Sequence, residues 1–507
     1  MSNTLSQRFT QNVPHSRVRV LILLLLFLLA CYSFKTSGLT GFTAVYGALP
    51  IAIFVAYFVF KYKMVTFWAL FFVNYFVMFF TRHYSVPIPS SLFNELIELL
   101  LIVLAIIEVK DLKSEKLLNP MGYALLVWGT YCTIELFNNT CELGMQVDIW
   151  YTGARLIAFQ LLYAFFVCSI YVNQPQHAIK FLKLWAYCVI FATFWVWKQK
   201  NIGFTQAEKE FLVSSPSHNL STGIRYFSTF TDSATFGCHM GAAAIAFAII
   251  GITTRIRKHR YFFIIASLFA LWAMFTSGTR TALFCFILGG ALYVILSKSF
   301  RIAIPVSIIG LLFIFFLAFT NIANGNQMIR RMRSGFNRND ASASVRDINK
   351  ATLKKYLREA PWGLGVGMNY NKVPNGNKYK YASTIPPDSE YVYIWVHTGI
   401  IGITLFVFLT AVMLFGACWI TMFRIHSPSL RGVGAAFCCA FIAIQLGGYG
   451  NQILMQFPNV LIFYGGLSIV YCLPFMEKEW GEYEEKLLAE QAERDRIRLE
   501  KKRASRV

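Results

Sequence analysis

The sequence predicts an all-α polytopic membrane protein of about 14 transmembrane helices, with a large external loop between spans eleven and twelve. Three observations carry this. Hydrophobic residues make up 56% of the chain and charged residues only 14%, beyond the apolar share of ordinary globular proteins. Unbroken apolar runs recur at lengths that cross a bilayer. Basic residues gather in alternate inter-span loops, as the positive-inside rule requires.

Taken in order, the first span is Val18 to Phe34, with Leu21-Ile-Leu-Leu-Leu-Leu-Phe-Leu-Leu inside it. No small-residue cleavage site follows and further spans come at once, so it reads as retained rather than as a signal peptide. Spans two to seven fall at about 41–60, 64–81, 92–109, 121–138, 153–172 and 178–197. Spans eight to eleven fall at about 234–252, 260–276, 279–297 and 301–320, and the last three at about 391–416, 432–450 and 457–475. An even count places both termini on one side. Arg8, Arg17 and Arg19, then Lys61 and Lys63, Lys110, Lys113 and Lys116, Arg255 to Arg260, Lys298 and Arg301, and Arg424 and Arg431 all share that side, which is therefore cytoplasmic. The opposite short loops are poor in basic residues, and Asn139 to Asp148 has none.

This gives a cytoplasmic N-terminus at about 1–17, spans one to eleven at about 18–320 and an external loop at about 321–390. Spans twelve to fourteen then cover about 391–475, and a charged cytoplasmic tail about 476–507. The tail carries Glu482 with Lys486 and Glu490 with Arg494 at helical pair spacing, and reads as a solvated helix. The external loop carries Arg330, Arg331, Arg333, Arg338 and Arg346 close together, which points to an anionic partner. Nucleic acid is a poor fit to the net charge of +22, because no soluble basic domain exists to hold it. The eleven cysteines lie mostly within spans and form no disulfide framework, and no zinc spacing is present.

The loop's own pattern is specific. Ser344 and Asp347 have capping-box spacing, predicting a helix from about Val345 to Glu359 that Pro361 ends. Gly363, Gly365 and Gly367 follow, then a polar aromatic stretch from Asn369 to Pro387, then Asp388-Ser389-Glu390-Tyr391 where the twelfth span starts. The glycines follow no strand of a βαβ unit, and no phosphate-cradling loop or metal cluster is seen. No cofactor and no metal is therefore expected.

Four arginines stand at span or loop ends on the external side: Arg155, Arg225, Arg280 and Arg346. Guanidinium groups bind phosphate with two parallel, charge-assisted bonds, so their convergence fits a lipid pyrophosphate at its water interface. The competing role for any one of them is snorkelling or an interhelical hydrogen bond. Glu95 and Glu98 near the external end of span four belong to no motif and read as structural. Asp388 suits two roles, a cap of the twelfth span or a group that takes an acceptor proton, and Glu390 is the neighbouring carboxylate.

These residues resemble the O-antigen ligase and O-antigen polymerase superfamily of bacterial envelope glycosyltransferases over roughly residues 150 to 470. Ser277-Gly-Thr-Arg280-Thr-Ala-Leu resembles its Ser-x-Ser-Arg-Gly/Thr-Ala motif, and Arg225-Tyr-Phe-Ser-Thr-Phe-Thr-Asp-Ser-Ala-Thr-Phe-Gly its Arg-x-x-Gly-x-Phe segment. Arg346 followed by Ala360-Pro-Trp-Gly-Leu-Gly-Val-Gly resembles its Arg…Asn-Pro-x-x-Gly-x-Gly segment. Asp388-Ser389, then Gly399-Ile-Ile-Gly402, is similar to its His-(Asn/Ser/Gln)-spacer-Gly-x-x-Gly signature. The chain departs from the ligases in placing Asp388 where they have His, and members with Asp there tend to be polymerases.

The resemblance implies a GT-C-like enzyme of the bacterial inner membrane with its active site on the periplasmic face. It implies inverting glycosyl transfer from an undecaprenyl-pyrophosphate-linked oligosaccharide to an acceptor sugar hydroxyl, polymerising O-antigen or exopolysaccharide repeats. Asp388 or Glu390 would serve as the base, and Arg155, Arg225, Arg280 and Arg346 would hold the donor pyrophosphate. Partners would be the lipid-linked glycan, the acceptor glycan, the bilayer, a chain-length regulator and a flippase. The alternatives are an O-antigen ligase acting on lipid A core or protein, a lipid-linked oligosaccharide flippase, and a peptidoglycan polymerase of the shape, elongation, division and sporulation type. A transporter would show an internal repeat with interrupted helices in matching positions, and none is visible.

Overall fold

The computed structural model describes residues 56–84, 90–107, 114–215, 218–220, 223–322, 324–325, 327–336 and 341–504, with isolated positions between Leu24 and Phe54. Most of the expected first and second spans, and Lys110, Lys113 and Arg338, lie outside them. The chain divides into two compact units, Met1–Thr66 and Phe67–Val507, and the second holds every residue of the candidate site.

The described residues are overwhelmingly helical. The helices are α1 (Lys63–His83), α2 (Ser90–Ile107), α3 (Pro120–Ile134), α4 (Val147–Tyr171), α5 (Pro175–Asn201), α6 (Gln206–Ser214), α7 (Ser233–Thr253) and α8 (Arg257–Thr276). They continue as α9 (Arg280–Leu296), α10 (Phe300–Phe319), α11 (Gln327–Arg333), α12 (Ala341–Leu357), α13 (Glu390–Trp419), α14 (Pro428–Gly450), α15 (Gly465–Cys472) and α16 (Glu477–Ala504). A short antiparallel ladder pairs β1 (Asn219–Leu220) with β2 (Gly223–Ile224).

Among the described residues, 8 helices are long and apolar enough to cross a membrane. They answer to the expected spans three, six to nine and twelve to fourteen. Spans four, five, ten and eleven correspond to the apolar helices α2, α3, α9 and α10.

Two expectations about helix starts change. The sixth span begins at Val147 rather than near Gly153, and passes Arg155–Phe159 as a π-turn, so Arg155 lies inside a helix and not at its start. The loop helix α12 runs from Ala341, so Ser344 lies inside it and the Ser344–Asp347 capping box is not formed at its end.

The centre of the bundle is α7, packed against α8, α9 and α14. Both α7 and α14 are apolar on all sides and almost entirely buried. Small residues permit this. A Cβ on Gly241 would lie 2.7 Å from the Ala282 carbonyl oxygen, so α7 and α9 touch backbone to side. One buried polar chain crosses this apolar centre: Trp185 Nε1 donates to His239 Nε2 at 2.9 Å. His239 Nδ1 therefore carries the proton and donates to Asn459 Oδ1 at 2.8 Å. Asn459 in turn donates to the Ile453 carbonyl at 2.7 Å, bracing the turn that follows α14.

The loop after α12 is fastened to a broken helix. α13 is interrupted at Gly399, whose φ of 66° and ψ of −169° are open only to glycine. The break frees carbonyls that a continuous helix would use itself. Leu364 N–H takes the Val396 carbonyl at 2.8 Å, and Gly365 N–H takes that of His397 at 3.1 Å. His397 Nδ1 donates back to the Gly365 carbonyl at 3.0 Å, and Tyr131 Oη donates to that of Thr398 at 2.9 Å. The glycine run exists for these approaches: a Cβ on Gly363 would sit 2.4 Å from Gly399 N, and one on Gly367 would sit 2.0 Å from the Ile149 carbonyl oxygen.

Gly399→Ala is therefore expected to destabilise the fold by at least about 1–3 kcal/mol from backbone strain alone. Its Cβ would also meet the Pro361 carbonyl oxygen at 2.0 Å, so the loop must lift away. Lower melting temperature and faster proteolysis between Pro361 and Gly367 would show this; a wild-type melting temperature would refute it.

Candidate functional site

Asp388 stands two residues ahead of α13, and the cap of that helix is Ser389, not Asp388. Ser389 Oγ accepts from Val392 N–H at 3.1 Å, which satisfies the exposed helix start. Asp388 is left to point elsewhere. Its Oδ2 accepts from Asn349 Nδ2 of α12 at 2.9 Å. It lines a cavity of about 390 Å³ with Arg346, Asp347 and Lys350 of α12, Thr281 of α9 and Tyr449 of α14.

Arg346 is half-buried in that cavity wall. Its Nη2 lies 3.4 Å from Asn451 Oδ1, and Asn451 Nδ2 donates to Thr281 Oγ1 at 3.2 Å. Loop helix, α14 terminus and α9 start are thus tied at one point. The other arginines of this end gather behind it. Arg280 is the first residue of α9, and its Nη1 reaches Ser334 Oγ at 3.5 Å. Arg225 donates to Thr279 Oγ1 at 3.1 Å, and Thr279 Oγ1 donates to the Ser233 carbonyl at 2.7 Å. The Arg225 Nε is buried and has no protein partner. Arg331 of α11 lies against Gly278, where a Cβ would come within 3.2 Å of its Cδ and Nε.

The charges feel one another. Burial lowers the pKa of Arg225, the nearby Arg280 and Arg346 lower it further, and Asp232 opposes them. Burial, with Arg225 and Arg280 adding, brings Arg331 down to about 10. Asp232, the carboxylate acting on Arg225, is already occupied as the cap of α7, accepting from Ala234 N–H at 2.6 Å and Thr235 N–H at 2.9 Å. A cluster of buried guanidinium groups of this kind is suited to an anionic ligand.

Arg82 was not singled out by the sequence. Its guanidinium is 4.4 Å from the Phe211 ring and 4.5 Å from the Phe227 ring, and it donates to the Phe230 and Thr231 carbonyls. It shapes the segment that presents Arg225 and Asp232. Arg331 was visible only as one member of a basic run, and Asn349 and Asn451 sit in no motif. Their signal is spatial, through Asp388 and Arg346.

Two expected site residues lie apart from the cavity. Glu390 is buried, and its Oε2 accepts from Leu454 N–H at 3.0 Å. It braces the turn after α14 instead of facing the cavity. Arg155 does not join the other arginines: its Nε lies 3.3 Å from Glu95 Oε1, an ion pair without good hydrogen-bond alignment. Glu95 also accepts from Gln160 Nε2 at 3.1 Å, and Glu98 is buried beside it, in keeping with a structural reading of both carboxylates.

Arg155→Ala is accordingly expected to act on stability, costing about 3 kcal/mol because the buried Glu95 loses its counter-charge. Adding Glu95→Gln should restore part of the melting temperature. A variant with an unchanged melting temperature and a large loss of turnover would return Arg155 to the donor site.

Residues 265–407 match the O-antigen ligase family. The stretch contains Arg280, Arg331, Arg346, the glycine run, Asp388 and Gly399, and bears out the resemblance to the O-antigen ligase and polymerase superfamily. No curated protein matches the chain.

Proposed function

We propose that this O-antigen-ligase-like chain is a bacterial inner-membrane glycosyltransferase that polymerises glycan repeats carried on undecaprenyl pyrophosphate. The observation that carries the reading is the sharing of one cavity by Asp388 and Arg346, with Arg225, Arg280 and Arg331 grouped behind them. The site would open on the periplasmic face, with both termini cytoplasmic.

In this mechanism the acceptor hydroxyl enters beside Asp388. Asn349 holds one carboxylate oxygen, leaving the other to take the hydroxyl proton. The acceptor oxygen forms a bond to the anomeric carbon as the carbon–oxygen bond to pyrophosphate breaks on the opposite face, so configuration inverts. The bonding pair leaves with the lipid pyrophosphate. Arg346, Arg280, Arg225 and Arg331 offset the charge that develops there, acting as fixed donors in a partly dry site. Arginine suits this better than lysine because its planar fork meets two phosphate oxygens at once.

The test is purified protein with one lipid-linked repeat in excess EDTA. A ladder of longer lipid-linked glycans with release of undecaprenyl pyrophosphate is expected. Activity lost in EDTA and restored by Mg²⁺ would overturn the role given to the arginines. Transbilayer movement of the substrate without chain growth would make the protein a flippase, and transfer only to lipid A core would make it a ligase.

A further inference from the structure

The described loop is strongly basic on one exposed face that begins at the cavity holding Asp388. On α12, Leu353 and Leu357 are buried, and Arg346, Asn349 and Tyr356 are half-buried on the same side. The opposite side is exposed and carries Lys350, Lys354 and Lys355, and the exposed Arg358 follows in the turn at the helix end. Lys350, Lys354 and Arg358 follow one another at helical four-residue spacing, so their side chains form one stripe. Like charges at that spacing destabilise an isolated helix. Among the described residues none of the three has an ion-pair partner, whereas Lys378 pairs with Glu359 at 3.1 Å. The stripe starts in the cavity, since Lys350 lines it, and runs outward along the loop surface.

Two exposed aromatic rings lie elsewhere on the same loop. Tyr381 is 59% exposed, and its ring centroid is 5.9 Å from that of Tyr356, which follows Lys355 in α12. Tyr370 is also exposed, beneath the Lys380 ammonium at 4.0 Å from the ring centroid. Flat exposed rings offer apolar faces to the C–H faces of sugars, and lysines beside them bind carboxylate or sulfate substituents. A neutral glycan would leave the unpaired cations of the stripe uncompensated.

We infer that the stripe Lys350–Lys354–Arg358, which starts at the Asp388 cavity, is a docking track for an acidic polysaccharide, so that the glycan this protein handles bears carboxylate or similar anionic groups. The inference rests on the glycosyl-transfer reading for the identity of the glycan as substrate. It adds that the chain leaves or approaches the Asp388 cavity along α12. The track works by many weak contacts: each exposed pair contributes little, but a polymer presents charges in series, and linked contacts add as effective concentration.

The test uses the full-length protein in phosphatidylcholine nanodiscs. Binding of a dodecameric oligogalacturonate is compared with that of a maltooligosaccharide of equal length. Measurable affinity for the acidic oligomer is expected, with little or none for the neutral one. It should weaken at least tenfold in 1 M salt, where the Debye length is about 3 Å. It should weaken by a similar factor in K350Q/K354Q/R358Q, and further in K354E alone than in K354Q. Circular dichroism should show all three variants folded, since changing charges on an exposed helix face does not cost core packing. Equal binding of the two oligomers, or unchanged binding by the triple variant, would overturn the inference. So would capture of phosphatidylglycerol vesicles, lost in the triple variant, with no oligogalacturonate binding; the track would then be a lipid contact. No turnover is read in this assay. Binding without chain growth would leave the track standing and sink the polymerase reading; chain growth without acidic-glycan binding would do the reverse.

Discussion

Asp388→Asn is expected to reduce chain growth by about a hundredfold or more while leaving the melting temperature unchanged. The two halves of that expectation come from separate observations. The helix start is satisfied by Ser389, whose Oγ accepts from Val392 N–H, so altering Asp388 removes no cap. An amide at this position still accepts from Asn349 through its oxygen, so the tie between α12 and the start of α13 persists. What it cannot do is take a proton. Rate of polymer formation from a lipid-linked repeat, read beside a thermal unfolding curve in the same detergent, separates the two. Wild-type turnover would remove Asp388 from the chemistry. Asp347 would then be the carboxylate to examine, because it lines the same cavity and Glu390 does not.

Arg346→Ala is expected to cost on the order of a hundredfold or more in turnover through the loss of a charge-assisted contact to the leaving pyrophosphate. Arg346→Lys should recover only a small part, since a point charge lacks the two-pronged geometry. Arg346 is the guanidinium that lines the cavity with Asp388, and its neighbour Asn451 fixes its angle. Some loss of loop attachment accompanies the alanine variant, so the lysine variant carries the argument: it keeps a cation against Asn451. Equal turnover in wild type and Arg346→Lys, at equal expression, would show that only charge is needed there, and turnover retained in Arg346→Ala would remove the residue from the site.

The spans were legible because they depend on local composition. The spans from Ser233 to Phe319 begin and end within a few residues of the expected limits, since a long apolar run has no other low-energy place to be. The start of α4 was not, because Val147, Ile149 and Trp150 extend the helix through a π-turn that has no simple sequence signature. Ser344 shows the weakness of cap motifs: Ser344-x-x-Asp347 has the right spacing, but α12 reaches back to Ala341. Asp388 and Ser389 are both good caps, and one residue of register decides between them. The glycine run at 363, 365 and 367 was visible, but its cause was not, because Gly399 and the Ile149 carbonyl lie far away in sequence. Arg155 looked like its three counterparts for the same reason: only the fold brings Glu95 to it.

The segment from Glu390 to Thr398 is held at both ends. The Glu390 carboxylate grips the Leu454 amide at one end, and the glycine contact with Pro361 and Gly363 holds the other. A helix so clamped is a length standard, rising about 12 Å at roughly 1.5 Å per residue. It is also a standard of phase. One residue added between the clamps would turn everything ahead of it by about 100° and swing Asp388 off the cavity, although no side chain of the site had been altered. A residue added in the stretch from Asn369 to Pro387, which carries neither clamp, would leave that phase intact. Evolutionary drift in this protein should therefore show free lengths in the surface loop and a fixed count of residues between Asp388 and Gly399, the distance itself being the quantity that selection preserves.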